Sequence, residues 1–439
     1  MGFEDQYKAK LTDSHTAVEQ IGSDSIVAIG QAVCQPPALM EALAARAEAG
    51  KVDNVRLYYM HAERHMQRTL LRYELMGRIK PHTMFMQAAE RELIKKGKED
   101  GDRKVIFYVP NSFSQAPRFF IDRIHPDTFL TTVSPMDLHG YFTFGTNNDY
   151  STTAARQAKR LIVEVNRNMP RVYGESALHI SEVDAIVEND VPLLDLSPRP
   201  IQEHERRISQ QIAELIPERA CLQIGVGGVP SGVCEALIDR KDLGIHTEVL
   251  NPALAHLIQN GAVTNRWKKI NRGKSVFTFA MGDIPFYQFM NDNISLESHP
   301  VSYVNNPAVI AQNDNVVSVN STIEMDLTGA CNSEYLNGHQ FTSTGGQLDF
   351  VRGAYASNGG MSFIAFQSSV KGGTISKIVP RLSGPVTTPR TDVHYVVTEH
   401  GVTNLKGLTS TERARALIGL ADPAFQDELT SAAKSMHLI

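Results

Sequence analysis

The sequence has few of the features that mark secreted or zinc-binding proteins. Its 439 residues contain four cysteines, Cys34, Cys221, Cys234 and Cys331, which lie far apart in apolar or small-residue settings. No C-x-x-C pair is present, so a structural zinc site is not expected. Scattered cysteines of this kind favour buried free thiols in a reducing cytoplasm.

Long apolar runs and a strong net charge are missing as well. The N-terminal segment is polar and charged, without the apolar core of a signal peptide, and no apolar run reaches the length of a bilayer span. The net charge of −5 gives no global attraction to nucleic acid or to an anionic membrane. We therefore expect a cytoplasmic protein without nucleic-acid or membrane partners.

Common catalytic signatures are also absent. The 15 histidines form no H-E-x-x-H motif and no His/Cys cluster, so the sequence predicts no metal site. No G-x-S-x-G nucleophile elbow occurs. Any covalent chemistry is therefore expected to use a carboxylate.

The chain does contain a repeated alternation of short apolar and helical segments. In the first half, strands are predicted at residues 25–29, 55–59, 105–109, 128–133 and 161–165, with a last strand pair at 183–194. Helical patterns at residues 38–49 and 86–96 lie between some of them. Strands separated by helices of this length imply parallel βαβ units, and hence an α/β fold.

Length and composition together indicate two domains. A chain of 439 residues exceeds one typical core. A charged segment with two prolines around residues 196–201 is typical of a linker, and it becomes helical near Glu203. We therefore predict an N-terminal α/β domain of residues 1–198 and a C-terminal α/β domain of residues 199–439.

Residues 221–250 carry the strongest functional signal. An apolar strand runs into a glycine turn, Gly225-Val226-Gly227-Gly228, a helix follows, and a second apolar run ends at Glu248. Glycines at such a turn let backbone N–H groups approach an anion, and Glu248 is expected at the same edge of the sheet. An anion-binding turn facing a carboxylate nucleophile suits acyl transfer.

Other segments carry weaker signals. Gly345 and Gly346 lie at a loop-to-helix junction, where free N–H groups can bind an oxyanion, although an ordinary turn also fits. Lys371 stands beside two glycines and could reach a phosphate or a carbonyl, but it also suits a plain hairpin. Residues 328–360 are rich in Gly, Asn, Ser and Thr, which predicts a long functional loop, and residues 301–303 are predicted as a strand.

The glycine turn leaves a second interpretation open, because it resembles part of a dinucleotide-binding fingerprint. The full G-x-G-x-x-G spacing fails, since Pro230 and Ser231 stand where the third glycine belongs. Glu248 would have to serve as the downstream acid of that motif. On these residues alone, a nicotinamide-dinucleotide site remains the alternative to acyl chemistry.

A series of longer motifs occurs along the chain in a characteristic order. In the second half they are IGVGGVP, DLGIHTE, GAVTN, FAMG, YVNNP, NSTIEMDLTG, NSE, GGQLDFVRGA, KGGTISKIVP, VTTPRTDV and YVVTEHG; in the first half they are VNRNMPRVYG and HISEVDAIVE. Over residues 7–432 the chain resembles the acetyl-CoA hydrolase/transferase family, and most closely its 4-hydroxybutyrate and butyrate CoA-transferase branch.

The resemblance implies two open α/β domains of the CoA-transferase type with the active site in the cleft between them. It assigns the nucleophile to Glu248. Positions matching contacts to coenzyme A, oxyanion donors or other cleft residues are Gly225, Val226, Gly227, Gly228, Val229, Asn305, Ile323, Gly346, Lys371 and Glu399. It further implies a homodimer that uses acyl-CoA and small carboxylic acids as substrates, without a tightly bound cofactor.

The implied reaction is covalent and follows ping-pong kinetics. Glu248 attacks an acyl-CoA thioester, the released thiolate converts the mixed anhydride into a glutamyl-CoA thioester, and an acceptor acid reverses the sequence. Backbone N–H groups of Val229 and Gly346 would stabilise the oxyanions. Because Glu248 must be ionised to attack, its pKa is not expected to rise far.

The substrate stays open on the sequence. Residues 342–347 depart from the GGxGGQ pattern of many family members but keep the glycine pair. Residues 30–37 and 61–64 are expected to line the acyl pocket, and their polarity favours a hydroxy acid or a dicarboxylate. Acetyl-CoA or succinyl-CoA is the expected donor and 4-hydroxybutyrate the expected acceptor, with an itaconate-type dicarboxylate as the alternative. Acyl-CoA hydrolysis through the same glutamate, and a non-catalytic CoA-binding regulator, are the rival functions.

Overall fold

The computed structural model describes residues 2–197 and 199–439. The α-helices are α1 (Phe3–Lys10), α2 (Ser14–Val18), α3 (Pro37–Glu48), α4 (Arg64–Arg68), α5 (Ala88–Glu99), α6 (Ala116–Phe119), α7 (Ser151–Gln157), α8 (Glu203–Leu215), α9 (Gly228–Ala236), α10 (Pro252–Gln259), α11 (Ile284–Met290), α12 (Val301–Val304), α13 (Pro307–Ile310), α14 (Gln347–Ala356), α15 (Ser410–Leu420) and α16 (Gln426–Ser435). Short 3₁₀ segments occur at Ala32–Cys34, Tyr73–Leu75, Phe113–Gln115, Ile180–Glu182 and Pro423–Phe425, and a π-helical turn at Phe120–Ile124.

The chain divides into two compact units. Unit 1 contains Met1–Leu196 and Phe277–Tyr303, and unit 2 contains Ser197–Val276 and Val304–Ile439. The first crossing falls in the segment predicted as a linker, but Phe277–Tyr303 returns to unit 1, which a single cut of the chain does not anticipate. The division into domains of residues 1–198 and 199–439 stays a prediction.

Unit 1 is built on a parallel sheet of seven strands. They are β1 (Ile26–Ile29), β2 (Val55–Tyr59), β3 (Ile79–Thr83), β4 (Phe107–Tyr108), β5 (Thr128–Val133), β6 (Arg160–Val165) and β7 (Ala185–Glu188). Their order is β7-β6-β5-β1-β2-β3-β4, and every neighbouring pair is parallel. The predicted βαβ organisation is therefore confirmed.

In unit 1 the sequence missed one strand and predicted one that does not form. The structure adds β3, which the sequence hid because Lys80, Pro81 and His82 interrupt its apolar pattern. Of the strand pair predicted at residues 183–194, only β7 forms. The chain beyond it contains Pro192, which has no N–H to donate to a strand ladder.

The core of unit 1 explains why its strands are continuous apolar runs. Leu39 and Leu43 of α3 are fully buried in one cluster with Val27 of β1 and Leu57 of β2. A parallel sheet with helices packed against it buries its strands and selects such runs over strict alternation.

Unit 2 carries a second sheet of six strands. They are β8 (Cys221–Ile224), β9 (Gly244–Ile245), β10 (Val316–Asn320), β11 (Met361–Ala365), β12 (Tyr395–Thr398) and β13 (Gly401–Asn404). The order is β9-β8-β10-β11-β12-β13, with only the final pair antiparallel. The chain runs from β8 to β9 on one side and then returns to β10 on the other. The strand order therefore reverses between β8 and β10, the position where open α/β sheets bind ligands.

Short strands complete the two units. They lie at Tyr141–Thr143, Tyr173–Gly174, Ala177–His179, Val249–Leu250, Ser275–Phe277, Phe279–Ala280, Leu296–Ser298, Glu324–Asp326, Cys331–Asn332, Tyr335–Leu336, His339–Gln340, Ser369–Val370, Ile375–Ser376 and Ile378–Val379. In unit 2, Tyr335–Leu336 pairs with His339–Gln340 and Ser369–Val370 pairs with Ile375–Ser376, both as antiparallel hairpins.

Two predictions in the second half of the chain were wrong. Residues 301–303 form part of helix α12, because Pro300 sets a first helical turn in which its carbonyl accepts from the N–H of Tyr303. Residues 328–360 are not one long loop, since they contain α14 and several short strands.

The cysteines are buried, as their apolar sequence settings predict. All four cysteines are buried and unpaired, and burial raises the pKa of Cys34 and Cys234 to about 12. Among residues 2–197 and 199–439, no helix is both long and apolar enough to span a lipid bilayer. Over the same residues, no group of three or more His, Cys, Asp or Glu side chains is arranged to hold a metal ion.

Candidate active site

Glu248 and the glycine turn lie at the same edge of the unit 2 sheet. Strands β8 and β9 are parallel neighbours, and the N–H of His246, just after β9, donates to Leu222 of β8 at 3.1 Å. Gly225 directly follows β8, and Glu248 follows β9 by three residues. The N–H of Gly225 also meets the carbonyl of Val319 in β10 at 3.4 Å, which places the turn at the point of strand reversal.

The carboxylate of Glu248 is held by Asn305 and Gly346. Asn305 Nδ2 donates to Glu248 Oε2 at 2.5 Å. A Cβ atom built on Gly346 would lie 2.0 Å from that same oxygen and 2.1 Å from Asn305 Nδ2. Only glycine at position 346 leaves room for this contact, because real Cβ atoms do not approach other atoms so closely. The structure thus brings together three of the predicted site residues.

Asn305 is fixed from the backbone side by a histidine. His246 Nε2 lies 2.8 Å from the carbonyl of Val304, so this nitrogen carries the proton and donates. Asn305 itself is fully buried, and its Oδ1 has no hydrogen-bond partner within the described part of the chain. A buried acceptor left unpaired is costly, so this atom is available to an N–H or O–H group of a ligand.

Gly346 is presented by the start of helix α14. It is the N-cap residue of α14, and Gly345 before it has a φ of +58°, in the left-handed region that glycine tolerates. Gln347 at the first helical position donates from Nε2 to Thr388 Oγ1 at 3.0 Å. The first-turn N–H groups and the helix dipole favour negative charge here.

The pKa of Glu248 is higher than the sequence led us to expect. Burial raises it from 4.5 to about 7, and the negative charge of Asp349 adds to the rise, while hydrogen bonds from Asn305 and from the Gly346 backbone oppose it. The expectation of a nearly normal pKa overlooked desolvation, which disfavours the charged form. At neutral pH the side chain is therefore close to half ionised.

The glycine turn opens helix α9, whose first turn offers two backbone N–H donors. Gly227 has a φ of +121°, which favours glycine, and the first helical hydrogen bond runs from Ser231 N–H to its carbonyl. Pro230 has no N–H, so the amides of Gly228 and Val229 are the donors of the first turn. Val226 is 67% exposed. This turn can bind an anion through its backbone.

Gly228 has a second role that the sequence did not suggest. A Cβ atom there would lie 2.1 Å from the carboxyl group of Glu205, and one on Gly232 would lie 2.4 Å from Ser209 Oγ. Both partners belong to helix α8, and Ser209 Oγ also donates to the carbonyl of Val229 at 2.9 Å. Gly228 therefore serves close packing of α8 on α9.

Of the three remaining residues predicted to contact CoA, two lie at the sheet edge that carries Glu248 and one lies in an exposed hairpin turn. Ile323 follows β10 and is half-buried, while Glu399 follows β12 and accepts from the N–H and hydroxyl of Ser368 at 2.9 and 2.6 Å. Both thus belong to the same sheet edge as Glu248. Lys371 lies in the turn between Ser369–Val370 and Ile375–Ser376, where its side chain is exposed.

Sequence reasoning missed two charged residues near these elements. Asp349 lies buried in the first turn of α14, three residues after Gly346, and raises the pKa of Glu248. Burial lowers the pKa of Lys377 to about 8, and the neighbouring Glu399 opposes that shift. Both residues lie within the sequence motifs noted above, GGQLDFVRGA and KGGTISKIVP. Their burial gives them a functional interest, and a sequence motif does not reveal burial.

The polar segments expected to line the acyl pocket lie in unit 1. Gln31 follows β1 and is fully buried, and neither atom of its amide has a partner among the described residues. His61 follows β2, stacks on Phe85 with 4.1 Å between ring centroids, and lies 3.4 Å through Nδ1 from Gln87 Nε2. Burial lowers the pKa of His61 to about 4, so its ring is neutral.

The fold and this site define a class of protein: an α/β protein in which a carboxylate faces backbone donors at a sheet edge. Family models match residues 1–195 as the acetyl-CoA hydrolase/transferase N-terminal domain and residues 282–433 as the acetyl-CoA hydrolase/transferase C-terminal domain. Together the two matches span most of the chain. The chain belongs to the acetyl-CoA hydrolase/transferase family.

Relatives and solved structures agree with this family. The chain is 43% identical to a succinyl-CoA:cyclohexane-1-carboxylate CoA transferase of Geobacter metallireducens, over 100% of this chain and 98% of the relative. It is 39% identical to a 4-hydroxybutyrate coenzyme A transferase of Clostridium kluyveri, over 98% of each. The crystal structure of RipA from Yersinia pestis matches with a TM-score of 0.98 and 57% identity, covering 100% of both chains.

Replacement of Gly346 by alanine should displace the Glu248 carboxylate without unfolding the protein. The new methyl group would collide only with the ends of the Glu248 and Asn305 side chains, which can move. A crystal structure of Gly346→Ala should show the 2.5 Å contact between Oε2 and Nδ2 broken. Gly419→Ala, where no atom lies within 4 Å of the added Cβ, is the control and should keep that contact. An unmoved carboxylate in Gly346→Ala would show that the site is not closely packed.

Glu248→Gln should stabilise the protein, and increasingly so as pH rises from 4.5 to 7. With a folded-state pKa of about 7, the folded protein holds a proton in this window that the unfolded chain has lost, so wild-type stability falls as pH rises. Glutamine does not titrate, so the free energy of unfolding of Glu248→Gln should exceed that of wild type by at most about 3 kcal/mol above pH 7. Urea unfolding of both proteins at pH 5, 6, 7 and 8 measures the difference.

The control, Glu412→Gln, should change the stability in the opposite direction. Glu412 accepts from the N–H and hydroxyl of Thr409, which lowers its pKa, so Glu412→Gln should lose stability at neutral pH. A Glu248→Gln variant that is less stable than wild type at pH 8 would contradict the raised pKa.

Proposed function

We propose that this protein is a CoA-transferase that moves coenzyme A between an acyl-CoA and a short carboxylic acid through a glutamyl-CoA thioester on Glu248. The observation that carries the proposal is the Glu248 carboxylate held by Asn305 against the glycine at position 346. Membership of the acetyl-CoA hydrolase/transferase family supports it, as do the CoA-transferase names of the relatives.

The first half of the reaction loads the enzyme. An oxygen of ionised Glu248 attacks the thioester carbonyl, the C–S bond breaks, and the products are an acyl-glutamyl anhydride and CoA thiolate. The thiolate then attacks the glutamyl carbonyl, the anhydride C–O bond breaks, and the donor acid leaves as its carboxylate. Glu248 now carries CoA as a thioester, as covalent catalysis with ping-pong kinetics requires.

The second half repeats these steps with the acceptor. Its carboxylate attacks the glutamyl thioester and expels the thiolate, which attacks the acyl carbonyl of the new anhydride and leaves as acyl-CoA. Glu248 is released as a carboxylate. One thioester and one carboxylate are exchanged for another pair, so no external energy source is consumed.

Backbone donors stabilise the tetrahedral oxyanions. Gly346 N–H already acts on the Glu248 carboxylate, and the first-turn amides of α9, including Val229, belong to the same sheet edge. Loss of one such donor typically costs about 10²–10³ in kcat. Gly225, Val226, Gly227 and Gly228 form the turn that presents the α9 donors, and Ile323, Lys371 and Glu399 are proposed contacts to CoA.

The raised pKa of Glu248 suits its role as the nucleophile. At pH 7 the Glu248 carboxyl group is ionised, and therefore able to attack, in about half of the enzyme molecules. A less acidic carboxyl group is the better nucleophile when ionised, and desolvation removes water that would otherwise have to leave before attack. Binding of the remote part of CoA supplies the free energy for this desolvation.

The names of the relatives support the proposed substrate class. They are named for succinyl-CoA, cyclohexane-1-carboxylate and 4-hydroxybutyrate. We propose 4-hydroxybutyrate as the acceptor. We assign acetyl-CoA or succinyl-CoA as donor, and we retain the cytoplasm as location and a homodimer as assembly within the proposal.

An acceptor panel tests the proposed function directly. Release or transfer of CoA from acetyl-CoA and succinyl-CoA is measured with acetate, succinate, itaconate, 4-hydroxybutyrate and cyclohexane-1-carboxylate. The expected result is acyl-CoA turnover that requires an acceptor acid, shows parallel lines in double-reciprocal plots, and falls at least about 10³-fold in Glu248→Gln.

The matched control is Glu412→Gln, which changes a solvent-exposed capping carboxylate and should retain wild-type turnover. Turnover at the full rate without any acceptor would identify a hydrolase that uses the same glutamate. Turnover that survives in Glu248→Gln would remove this residue from the mechanism.

A further inference from the structure

The loop that presents Gly346 is anchored by a second buried carboxylate, that of Glu334. Glu334 is 7% exposed and lies between the short strands Cys331–Asn332 and Tyr335–Leu336. The loop leaves the neighbouring strand His339–Gln340 and runs to the start of α14. We call residues 341–346 the glycine loop.

Three side chains donate to the Glu334 carboxylate. Thr344 Oγ1 and Thr387 Oγ1 donate to Oε1 at 3.1 and 2.9 Å, and Gln340 Nε2 donates to Oε2 at 3.0 Å. Thr344 belongs to the glycine loop, two residues before Gly346. One carboxylate thus joins the strand before the loop, the middle of the loop and the separate segment at residue 387.

The backbone of Glu334 holds the first residues of the same loop. Its carbonyl accepts from the N–H of Phe341 at 2.8 Å and from the N–H of Thr342 at 3.1 Å. Gln340 Nε2 also donates to the carbonyl of Thr342 at 2.8 Å. The loop is therefore fixed by Glu334 through both main chain and side chain.

The far end of the loop is tied to the same segment. Gln347, directly after Gly346, donates to Thr388 Oγ1 at 3.0 Å, and Thr388 is the neighbour of Thr387. Thr387 and Thr388 are both buried, and the N–H of Thr387 donates to the carbonyl of Cys331 at 2.8 Å. Residues on both sides of Gly345 and Gly346 are thus fixed to one buried segment, through Glu334 on one side and directly on the other.

All three side-chain donors to Glu334 are neutral. A buried carboxylate stabilised by neutral donors depends strongly on each of them, because the loss of one leaves charge unsatisfied. Within the glycine loop, the Thr344 hydroxyl donates directly to this carboxylate. Removing that hydroxyl weakens the attachment of the middle of the loop, and it leaves the donors Thr387 and Gln340 in place.

We propose that Glu334 is a positioning residue that sets the place of the Gly346 N–H beside Glu248 by holding the glycine loop through Thr344. This inference rests on the proposed role of Gly346 as a donor to the reacting carboxylate and its oxyanions. A donor is effective only within hydrogen-bond range of the developing charge, so a shift of about 1 Å in the loop is enough to weaken it.

Thr344→Val and Thr344→Ser test the proposal by a matched pair. Valine removes the hydroxyl and keeps the shape, so kcat should fall by about tenfold or more while the KM for acyl-CoA changes less than about twofold. Serine keeps the hydroxyl and should retain most of the wild-type kcat. Thr430→Val, which removes a hydroxyl that donates to the carbonyl of Gln426 in α16, should have no effect on kcat.

A double-mutant comparison tests whether Glu334 acts through Thr344. Glu334→Ala should lower kcat at least as far as Thr344→Val, and the double variant should lose no more than Glu334→Ala alone. Effects that multiply in the double variant would mean two independent causes and would overturn the proposed link.

A readout independent of turnover is the pKa of Glu248. Because the Gly346 backbone lowers this pKa, displacement of the loop should raise it by about 0.5 unit or more in Thr344→Val and leave it unchanged in Thr344→Ser. It is measured from the pH dependence of unfolding, as the difference between each variant and the same variant carrying Glu248→Gln. This readout needs no substrate.

The outcomes separate the two proposals. If wild type transfers CoA but Thr344→Val keeps both its kcat and its Glu248 pKa, the positioning role of Glu334 is wrong and the proposed function stands. If wild type transfers CoA to no acid in the panel while the pKa shifts as expected, the glycine-loop link holds and the proposed function fails.

Discussion

The contact of Glu248 with Asn305 and Gly346 is the constraint on which the site depends. It requires a glycine at position 346, because any Cβ there would overlap Glu248 Oε2. It also buries a carboxylate, which raises its pKa to about 7 against the pull of two hydrogen bonds. The sheet of unit 2 meets this requirement by ending β9 just before the carboxylate and starting α14 at the glycine. A carboxylate whose pKa is strongly raised, although hydrogen bonds fix its position, is typical of a functional site.

Two kinds of glycine support this arrangement, for different physical reasons. Gly346 clears space for a reacting side chain, and Gly227 adopts a φ that favours glycine at the start of α9. Gly228 and Gly232 instead allow Glu205 and Ser209 of α8 to pack directly on the backbone of α9. The helix whose first turn offers anion-binding amides is therefore itself fixed by close packing, which keeps its donors oriented without ligand.

The sequence predicted local features well and long-range features poorly. The glycine turn, the position of Glu248 after an apolar run, and Gly346 before a helix all depend on neighbouring residues. The partnership of Asn305 with Glu248 joins residues 57 positions apart, and Glu334 reaches Thr387 across 53 positions, so no local pattern shows either contact. Residues 301–303 resemble a strand because Val301 and Tyr303 are residue types that favour strands, whereas Pro300 before them starts a helical turn. Desolvation of Glu248 and the return of Phe277–Tyr303 to unit 1 depend on packing of the whole chain.

The most direct test of the central claim is chemical trapping of the glutamyl-CoA thioester on Glu248. The protein is incubated with acetyl-CoA or succinyl-CoA, treated with borohydride, digested and analysed by mass spectrometry. Borohydride reduces a glutamyl thioester to the alcohol, so the account predicts a mass decrease of the peptide containing Glu248, dependent on acyl-CoA and absent in Glu248→Gln. Reduction of a different carboxyl group, with Glu248 intact, would contradict it.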